Sequence, residues 1–242
     1  MTQYGFESDV RGWLSVGAGV LQKLDGSDSP LALWNFEGDL LDASGNGRHL
    51  STGAGAEKWC RFGDLTGLYS DTSHYVYSAS AALALTGAMS LIMLCVHQTA
   101  LGSSHVHANW TSANDTAEAD NSLYSLATVA ASNGLVYSHE HGIGVDDSLA
   151  LRVYQATYVL HAIGFTRTAT GLVRVFIDGR RINEQELPLP TGGANGRLAL
   201  AANITAATRY AMQLYSVGVY GTALSDARMT TKMGAMLGVV GA

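Results

Sequence analysis

The stretch that decides the fold runs from Leu172 to Ile182 and reads LVRVFIDGRRI. Six strand-forming positions lead into Asp178-Gly179, a dipeptide that supplies the positive φ angles of a two-residue hairpin turn. Every second residue from Val173 to Ile177 is apolar, so one face of the first strand belongs on a hydrophobic core. The pattern predicts a β-hairpin within an all-β protein.

The length and composition favour one large domain of this kind. The chain has 242 residues, of which 47% are hydrophobic and only 14% are charged. Ordinary proteins contain about 25% charged residues, and all-β sandwiches commonly reach this length as one unit. A surface with so few charges suits an extracellular protein or a subunit packed against neighbours.

The charge and the apolar segments exclude several classes of protein. The formal net charge is −6 with 14 basic residues, which argues against a nucleic-acid partner. Residues 1–7 lack both the basic start and the apolar segment of a secretory signal. The apolar region 79–96 falls short of the roughly 20 residues that a membrane helix needs. We therefore expect no signal peptide and no transmembrane segment in this chain.

The N-terminal segment, residues 1–29, differs from the rest of the chain. It is punctuated by glycines and ends in the turn-rich sequence DGSDSP at 25–30. It is predicted to be an arm or extension, and residues 30–242 are predicted to be the main domain. As an arm it would join copies of the chain into a homo-oligomer, whereas the alternative is an edge strand of the main domain.

Two further local patterns are strong. Asn133-Gly134 separates two strand-like segments and predicts a second hairpin between residues 122 and 138. Ser225 is a suitable N-cap residue with Asp226 behind it, which predicts one short helix that extends to Met236.

Four segments occur in a characteristic order. The first is a tryptophan strand at 31–36 followed by Asp42-x-Ser-Gly-Asn-Gly, and the second is the Leu-Thr-Gly turn at 85–87 before a long apolar strand. The third is the Asp178-Gly179 hairpin, and the fourth is the segment 212–226 with its closing strand and Leu-Ser turn. Together they resemble the laminin-G-like, concanavalin A-like lectin and glucanase family. The resemblance implies a jelly-roll β-sandwich of two antiparallel sheets with a short C-terminal helix.

The same family includes glucanases, so an enzyme is one alternative. Retaining glycoside hydrolysis needs two carboxyl groups about 5 Å apart. The candidate pairs are Glu118 with Asp120, in a loop-like segment, and Glu184 with Glu186, on a solvent edge. Neither pair lies on a core strand, so we expect a non-enzymatic protein with no catalytic residues.

Candidate binding residues cluster between positions 101 and 147. An aromatic platform beside hydrogen-bonding groups suits a sugar, while paired histidines on strands suit a transition metal or a polar recognition surface. The competing interpretations are a loop tryptophan that covers one sandwich edge and strands with ordinary polar outer faces. The predicted ligand-binding residues are His105, His107, Asn109, Trp110, Tyr124, His139, Glu140 and His141.

The family resemblance also implies a possible calcium site at the rim of the sandwich. Calcium prefers clustered carboxylate and carbonyl oxygens. Asp39, Asp42 and Asn46 would supply such ligands, although the same motif is equally explained by side chains that stabilise a turn.

These observations predict a non-catalytic recognition or assembly protein. The expected setting is a virion or an extracellular surface, with a phage capsid-decoration or tail protein as the particular case, and with capsid or tail proteins as partners. The jelly roll would adhere to a glycan or a protein. A stand-alone carbohydrate-binding lectin module is the alternative, and a glycoside hydrolase is the weaker one.

Overall fold

The computed structural model describes residues 20–70, 74–97, 105–112, 124–129, 134–142, 145–150, 159–191, 196–202 and 211–238. These residues form two antiparallel β-sheets packed face to face and one α-helix near the C-terminus. The predicted fold class, an all-β sandwich with a short C-terminal helix, is confirmed. In chain order the elements are β1 (Ala32–Trp34), β2 (Ser51–Ala54), β3 (Lys58–Phe62), β4 (Leu65–Ser70), β5 (Tyr75–Ser78), a 3-10 helix (Ala81–Leu83), β6 (Met89–His97), β7 (His105–Ser112), β8 (Tyr124–Val129), β9 (Gly134–Gly142), β10 (Val145–Ala150), β11 (Leu160–Arg167), β12 (Leu172–Ile177), β13 (Arg180–Glu186), β14 (Gly196–Leu200), β15 (Met212–Tyr220) and α1 (Asp226–Met236).

The strand order mixes hairpins with long crossovers. Within the described residues, the first sheet has the order β13-β12-β11-β6-β15-β4-β3, and β1 pairs with the second half of β15. The second sheet has the order β10-β9-β8-β7-β14-β5-β2. Strands that are distant in sequence, such as β6 and β15, therefore lie side by side, which is typical of double-sheet Greek-key folds.

The Asp178-Gly179 hairpin has the predicted geometry. Asp178 has a φ of 52° and Gly179 a φ of 80°, and Ile177 pairs directly with Arg180 across the turn. Val173 and Val175 are fully buried between the sheets. The two φ angles are those of a type I′ turn, whose twist matches that of the flanking strands.

Aromatic residues fill the space between the two sheets. Tyr137 of the second sheet lies 4.6 Å from Phe165 of the first, measured between ring centroids. Trp34 is fully buried, whereas Trp59 on the edge strand β3 is 38% exposed. An edge strand lacks a neighbour on one side, and a large side chain there stays partly in water.

Helix α1 covers the outer face of the first sheet. Ser225 Oγ accepts a hydrogen bond from the backbone N–H of Arg228 at 3.3 Å, which confirms the predicted N-cap. Met229, Met233 and Met236 are buried against apolar residues of the sheet. In the described part of the chain, no helix is long and apolar enough to cross a membrane.

The last ten residues of the predicted arm, residues 20–29, pack onto this helix. Lys232 Nζ lies 2.7 Å from Asp25 Oδ1 and 3.1 Å from Asp28 Oδ2, and Arg228 Nη2 lies 2.5 Å from Asp28 Oδ2. We call Asp25, Asp28, Arg228 and Lys232 the helix clamp. Residues 1–19 lie outside the described residues, so an arm that begins at residue 1 and ends at residue 29 stays a prediction.

The helix clamp predicts a loss of stability in acid. The hydrogen bond from Arg228 lowers the pKa of Asp28 below its ordinary value of 3.8. Burial raises the pKa of Asp25, but hydrogen bonds from Lys232 and Ser27 outweigh it, so this pKa is lowered as well. A carboxyl group with a depressed pKa stabilises the fold above its ordinary pKa, and this contribution is lost as the pH falls through the folded-state value.

We therefore expect Asp28→Asn to be less stable than the wild type near neutral pH and to lose less further stability below about pH 4. Urea unfolding at a series of pH values measures both quantities. Asp64→Asn, in the exposed β3–β4 turn, is the matched control and should keep the acid dependence of the wild type. An unchanged acid dependence in Asp28→Asn would contradict a stabilising role for the clamp.

Candidate functional site

The second sheet has two tyrosines on the face turned away from the core. In β5, Val76 is 1% exposed and belongs to the core between the sheets, while Tyr75 and Tyr77 on either side of it are partly exposed. Alternate residues of a strand lie on opposite faces, so both tyrosines belong to the outer face. This face therefore carries aromatic groups in contact with water.

Arg197 of β14 lies beside these tyrosines. Its guanidinium carbon is 4.6 Å from the ring centroid of Tyr77, and the ring centroids of Tyr75 and Tyr77 are 6.2 Å apart. A guanidinium group above an aromatic ring is attracted by the negative face of the ring. We call Tyr75, Tyr77 and Arg197 the tyrosine patch.

Two small residues make room for the tyrosine patch. Ala199, the backbone partner of Tyr77 on β14, is fully buried. A Cβ atom added at Gly53 of β2 would lie 2.1 Å from Cζ of Tyr75, so the ring of Tyr75 rests directly on the backbone of β2. A side chain at residue 53 would displace this ring, which makes Gly53 part of the architecture of the patch.

The strand register connects the patch with one residue predicted from the sequence. Tyr77 pairs with Ala199, Ala199 with Asn109, and Asn109 with Ser125. Asn109 is therefore two strands away from Tyr77, or about 10 Å across the sheet at ordinary strand spacing. Among the predicted ligand-binding residues, Asn109 is the one in the same row as Tyr77.

Trp110 and Tyr124 are core residues. Both are 0% exposed, their ring centroids are 6.4 Å apart, and the hydroxyl group of Tyr124 donates a hydrogen bond to the carbonyl of Leu83 at 2.9 Å. Burial raises the pKa of the Tyr124 hydroxyl. These positions correct the prediction that the two rings form a sugar platform, because strand alternation turns both residues toward the first sheet.

The predicted histidines lie on β7 and β9, with β8 between these strands. His105 is level with Leu135 through Thr128, whereas His139 lies four residues farther along β9 and pairs with Asp147. The register therefore does not place the two histidine pairs opposite each other. Ligand binding stays a prediction for the residues on these two strands, namely His105, His107, His139, Glu140 and His141.

The carboxylate of Asp42 is occupied by backbone N–H groups. Its Oδ1 accepts hydrogen bonds from Leu33 N at 3.0 Å and Ser44 N at 2.9 Å, and its Oδ2 accepts one from Arg48 N at 2.8 Å. Burial raises the pKa of Asp42, but the hydrogen bonds from Ser44, Leu33 and Arg48 outweigh it, so the pKa is lowered. The motif around Asp42 thus stabilises the turn after β1.

The two other residues predicted to bind calcium also take part in turns. Asn46 Nδ2 donates hydrogen bonds to the carbonyls of Pro30 and Leu31, both at 3.0 Å, and Asp39 Oδ1 accepts one from Leu41 N at 3.1 Å. Within the described residues, no group of three or more His, Cys, Asp or Glu side chains is placed to hold a metal ion. Calcium binding at Asp39, Asp42 and Asn46 stays a prediction.

The candidate catalytic carboxyl groups lie in two different parts of the chain. Residues 118–120 are outside the described residues. Glu184 lies on the edge strand β13, where its Oε2 is 3.0 Å from both Arg174 Nε and Arg181 Nη1. Glu184 therefore belongs to an exposed ion-pair network.

Sequence reasoning missed the tyrosine patch. The signal was present as Tyr75-Val76-Tyr77, an alternation in which the central valine is the core residue and the flanking tyrosines take the other face. No sequence pattern shows that Arg197, 120 positions later, lies on the same surface, because only the pairing of β5 with β14 brings these residues together.

No family model matches the sequence, and no curated protein matches it. The fold is nevertheless shared with solved structures. One is botulinum neurotoxin type C, studied for its interaction with two ganglioside molecules, with a TM-score of 0.66 at 14% identity, covering 86% of this chain and 51% of the toxin chain. Another is the binding domain of botulinum neurotoxin DC in complex with rat synaptotagmin II, with a TM-score of 0.67 at 14% identity and coverages of 86% and 52%.

A third structure is domain 4 of a GH43 extracellular arabinanase from Geobacillus stearothermophilus in complex with arabinotriose. It has a TM-score of 0.66 at 16% identity, and the match covers 88% of this chain and 100% of that domain. The chain thus spans about half the length of the two toxin chains and the whole of the arabinanase domain. At these identities the likeness shows a common β-sandwich fold.

Proposed function

We propose that this chain is a non-catalytic binding module that attaches to glycans through the tyrosine patch. The observation that carries the proposal is the pair of partly exposed tyrosine rings on the outer face of the second sheet, with a guanidinium group stacked on one of them. A pyranose ring has an apolar face and polar edges, so its recognition needs a flat aromatic surface next to hydrogen-bonding groups. The tyrosine rings, their hydroxyl groups and Arg197 provide this combination.

The fold neighbours support a carbohydrate or a protein as the ligand. The arabinanase domain was solved with arabinotriose, and the type C neurotoxin interacts with gangliosides, whereas the DC binding domain was solved with synaptotagmin. For this chain a glycan is favoured over a protein because the patch combines ring faces with hydroxyl and guanidinium donors above small residues. Protein-binding hot spots also use Tyr and Arg, but they place them in well-packed, fully desolvated pockets, whereas Tyr75 and Tyr77 are partly exposed.

The biological setting is a further part of the proposal. A place on a virion or an extracellular surface, for example as a capsid-decoration or tail protein, is supported by the low charged content of 14%. Contacts with capsid or tail proteins, and an oligomer formed through residues 1–29, belong to the same proposal. Light scattering on purified full-length chain would test the oligomer.

Binding of a labelled chain to an array of neutral and acidic oligosaccharides tests the proposed ligand. We expect binding that is reduced at least about tenfold by Tyr77→Ala, because truncation of a central aromatic contact costs about 2 kcal/mol or more, and a tenfold change corresponds to about 1.4 kcal/mol. Trp59→Ala is the matched control, since Trp59 is exposed on the edge of the other sheet. Gly53→Ala should also weaken binding, because its methyl group would displace the Tyr75 ring.

Two results would contradict the proposal. One is the absence of binding to every oligosaccharide on the array by chain that is folded, as judged by circular dichroism. The other is binding that survives both Tyr75→Ala and Tyr77→Ala, since the ligand would then be held elsewhere.

A further inference from the structure

Arg197 has a cationic group without an anionic counterpart. Within the described residues, no carboxylate forms an ion pair with its guanidinium, whose one close charged or aromatic contact there is the Tyr77 ring at 4.6 Å. Arg174 and Arg181 share Glu184, and Arg228 binds Asp28. Arg197 differs from these three surface arginines because its partner within the described residues is an aromatic ring.

The stacking holds Arg197 in a position that suits an anion. A guanidinium group on an aromatic ring keeps its planar edge of N–H donors free for a carboxylate or a sulfate, and it loses little side-chain entropy on binding because the ring already orients it. Ala199, two residues farther along β14, is fully buried and carries no charge that would compete for an anion. Glu57, a carboxylate near β2, accepts its hydrogen bond from Thr52.

The overall charge of the chain does not favour the binding of an anion. The formal net charge of −6 repels anions at long range. A preference for an acidic ligand must therefore come from a short-range contact, and Arg197 is the cation that lies within the aromatic surface. The tyrosine faces would bind the sugar ring while Arg197 binds the charged substituent.

We propose that the tyrosine patch selects glycans that carry an acidic sugar, with Arg197 as the specificity-determining residue. This inference rests on the proposed function, because it concerns the same site. Sialic acid, a uronic acid and a sulfated sugar share the required chemistry, an anionic group next to a ring with an apolar face.

Calorimetric titration of the full chain with matched oligosaccharides tests this inference. The probes are 3′-sialyllactose, a glucuronic-acid disaccharide, a sulfated lactose and the neutral parent lactose. We expect at least one acidic probe to bind at least about tenfold more tightly than its neutral parent, since hydrogen bonds between charged groups are stronger than those between neutral groups. Arg197→Gln should abolish this preference, so that the acidic probe and its neutral parent bind the variant with equal affinity.

The control variants separate charge from geometry. Arg61→Gln, on the exposed strand β3 of the other sheet, makes the same change in net charge and should leave the preference intact. Arg197→Lys keeps the charge but loses the planar fork, so it should retain only part of the preference. Thermal unfolding of each variant checks that the fold is unchanged.

The possible outcomes are distinguishable. Equal binding of neutral and acidic probes, with no effect of Arg197→Gln, would overturn the acidic-sugar inference and leave glycan binding in place. Binding of no probe at all, together with an empty array, would overturn both proposals. A preference that disappears in Arg61→Gln as well as in Arg197→Gln would show a general charge effect and would also overturn the inference.

Discussion

Replacement of Arg167 by methionine is expected to lower the free energy of unfolding by about 2–4 kcal/mol. Arg167 is 0% exposed at the end of β11, where its Nε donates to the carbonyl of Gly87 at 2.9 Å and its Nη1 donates to the hydroxyl of Tyr137 at 2.8 Å. Its Nη2 donates to the carbonyl of Leu85 at 2.5 Å. One side chain thus fastens the Leu85–Gly87 turn of the first sheet to a tyrosine of the second.

The size of this effect follows from the kind of acceptor involved. Two of the three acceptors are backbone carbonyls, which no side-chain substitution removes. In Arg167→Met these carbonyls stay in place and lose their charged donor. Chemical denaturation of the variant measures the loss. Arg167→Lys should lose less, because it keeps one charged donor, and Arg180→Met on the exposed edge strand should be close to neutral.

A variant Arg167→Met that is as stable as the wild type would contradict this account. It would mean that the cost of burying the guanidinium group equals the free energy of its hydrogen bonds. Because methionine fills much of the same volume, the comparison is not dominated by a cavity.

Replacement of Asp42 by alanine is expected to lower the free energy of unfolding by about 2–4 kcal/mol as well. The carboxylate accepts hydrogen bonds from three backbone N–H groups, those of Leu33 in β1 and of Ser44 and Arg48 in the turn. Without it, these buried or partly buried N–H donors lose their acceptor. Asp42→Asn should be intermediate, because one amide oxygen remains as an acceptor while the amide nitrogen faces an N–H group.

The same variant decides between a turn and a calcium site. If Asp42 acts only within the turn, the melting temperature of the wild type should be the same in EDTA and in excess calcium. A rise in melting temperature with calcium that is absent in Asp42→Ala would show that the calcium prediction is right and that the turn account is incomplete. Asp64→Ala, in the exposed β3–β4 turn, serves as the control for nonspecific salt effects.

The elements that could be predicted from sequence are those whose causes are local. Asp178-Gly179 forms its turn because both residues adopt positive φ angles. Ser225 caps the start of α1 because its hydroxyl group accepts a hydrogen bond from the backbone N–H of Arg228. Strands β8 and β9 pair as the predicted second hairpin, but Val129 pairs with Gly134, so Gly134 belongs to β9 and the connection, residues 130–133, lies outside the described residues. In each case a few adjacent residues suffice.

The candidate site depended on longer-range information. Trp110 and Tyr124 lie in the second sheet, which also carries the tyrosine patch. The sequence around them does not reveal which face of each strand packs against the first sheet. A shift of one residue in the inferred alternation exchanges core and surface for a whole strand. The prediction placed Trp110 of β7 and Tyr124 of β8 on the exposed face of the sheet, but both face the core. The exposed aromatic surface is instead formed by Tyr75 and Tyr77 of β5.

The sequence by itself determined the all-β class, the position of the tight hairpin and the single C-terminal helix, because backbone torsion preferences and capping act over a few residues. The tertiary structure alone decided that Tyr75, Tyr77 and Arg197 form one surface, since β5 and β14 meet only through the pairing of strands 120 residues apart. It also decided that Asp25 and Asp28 bind helix α1, about 200 residues later in the chain. Contacts at such separations depend on the packing of the two sheets and the helix, which no local pattern records.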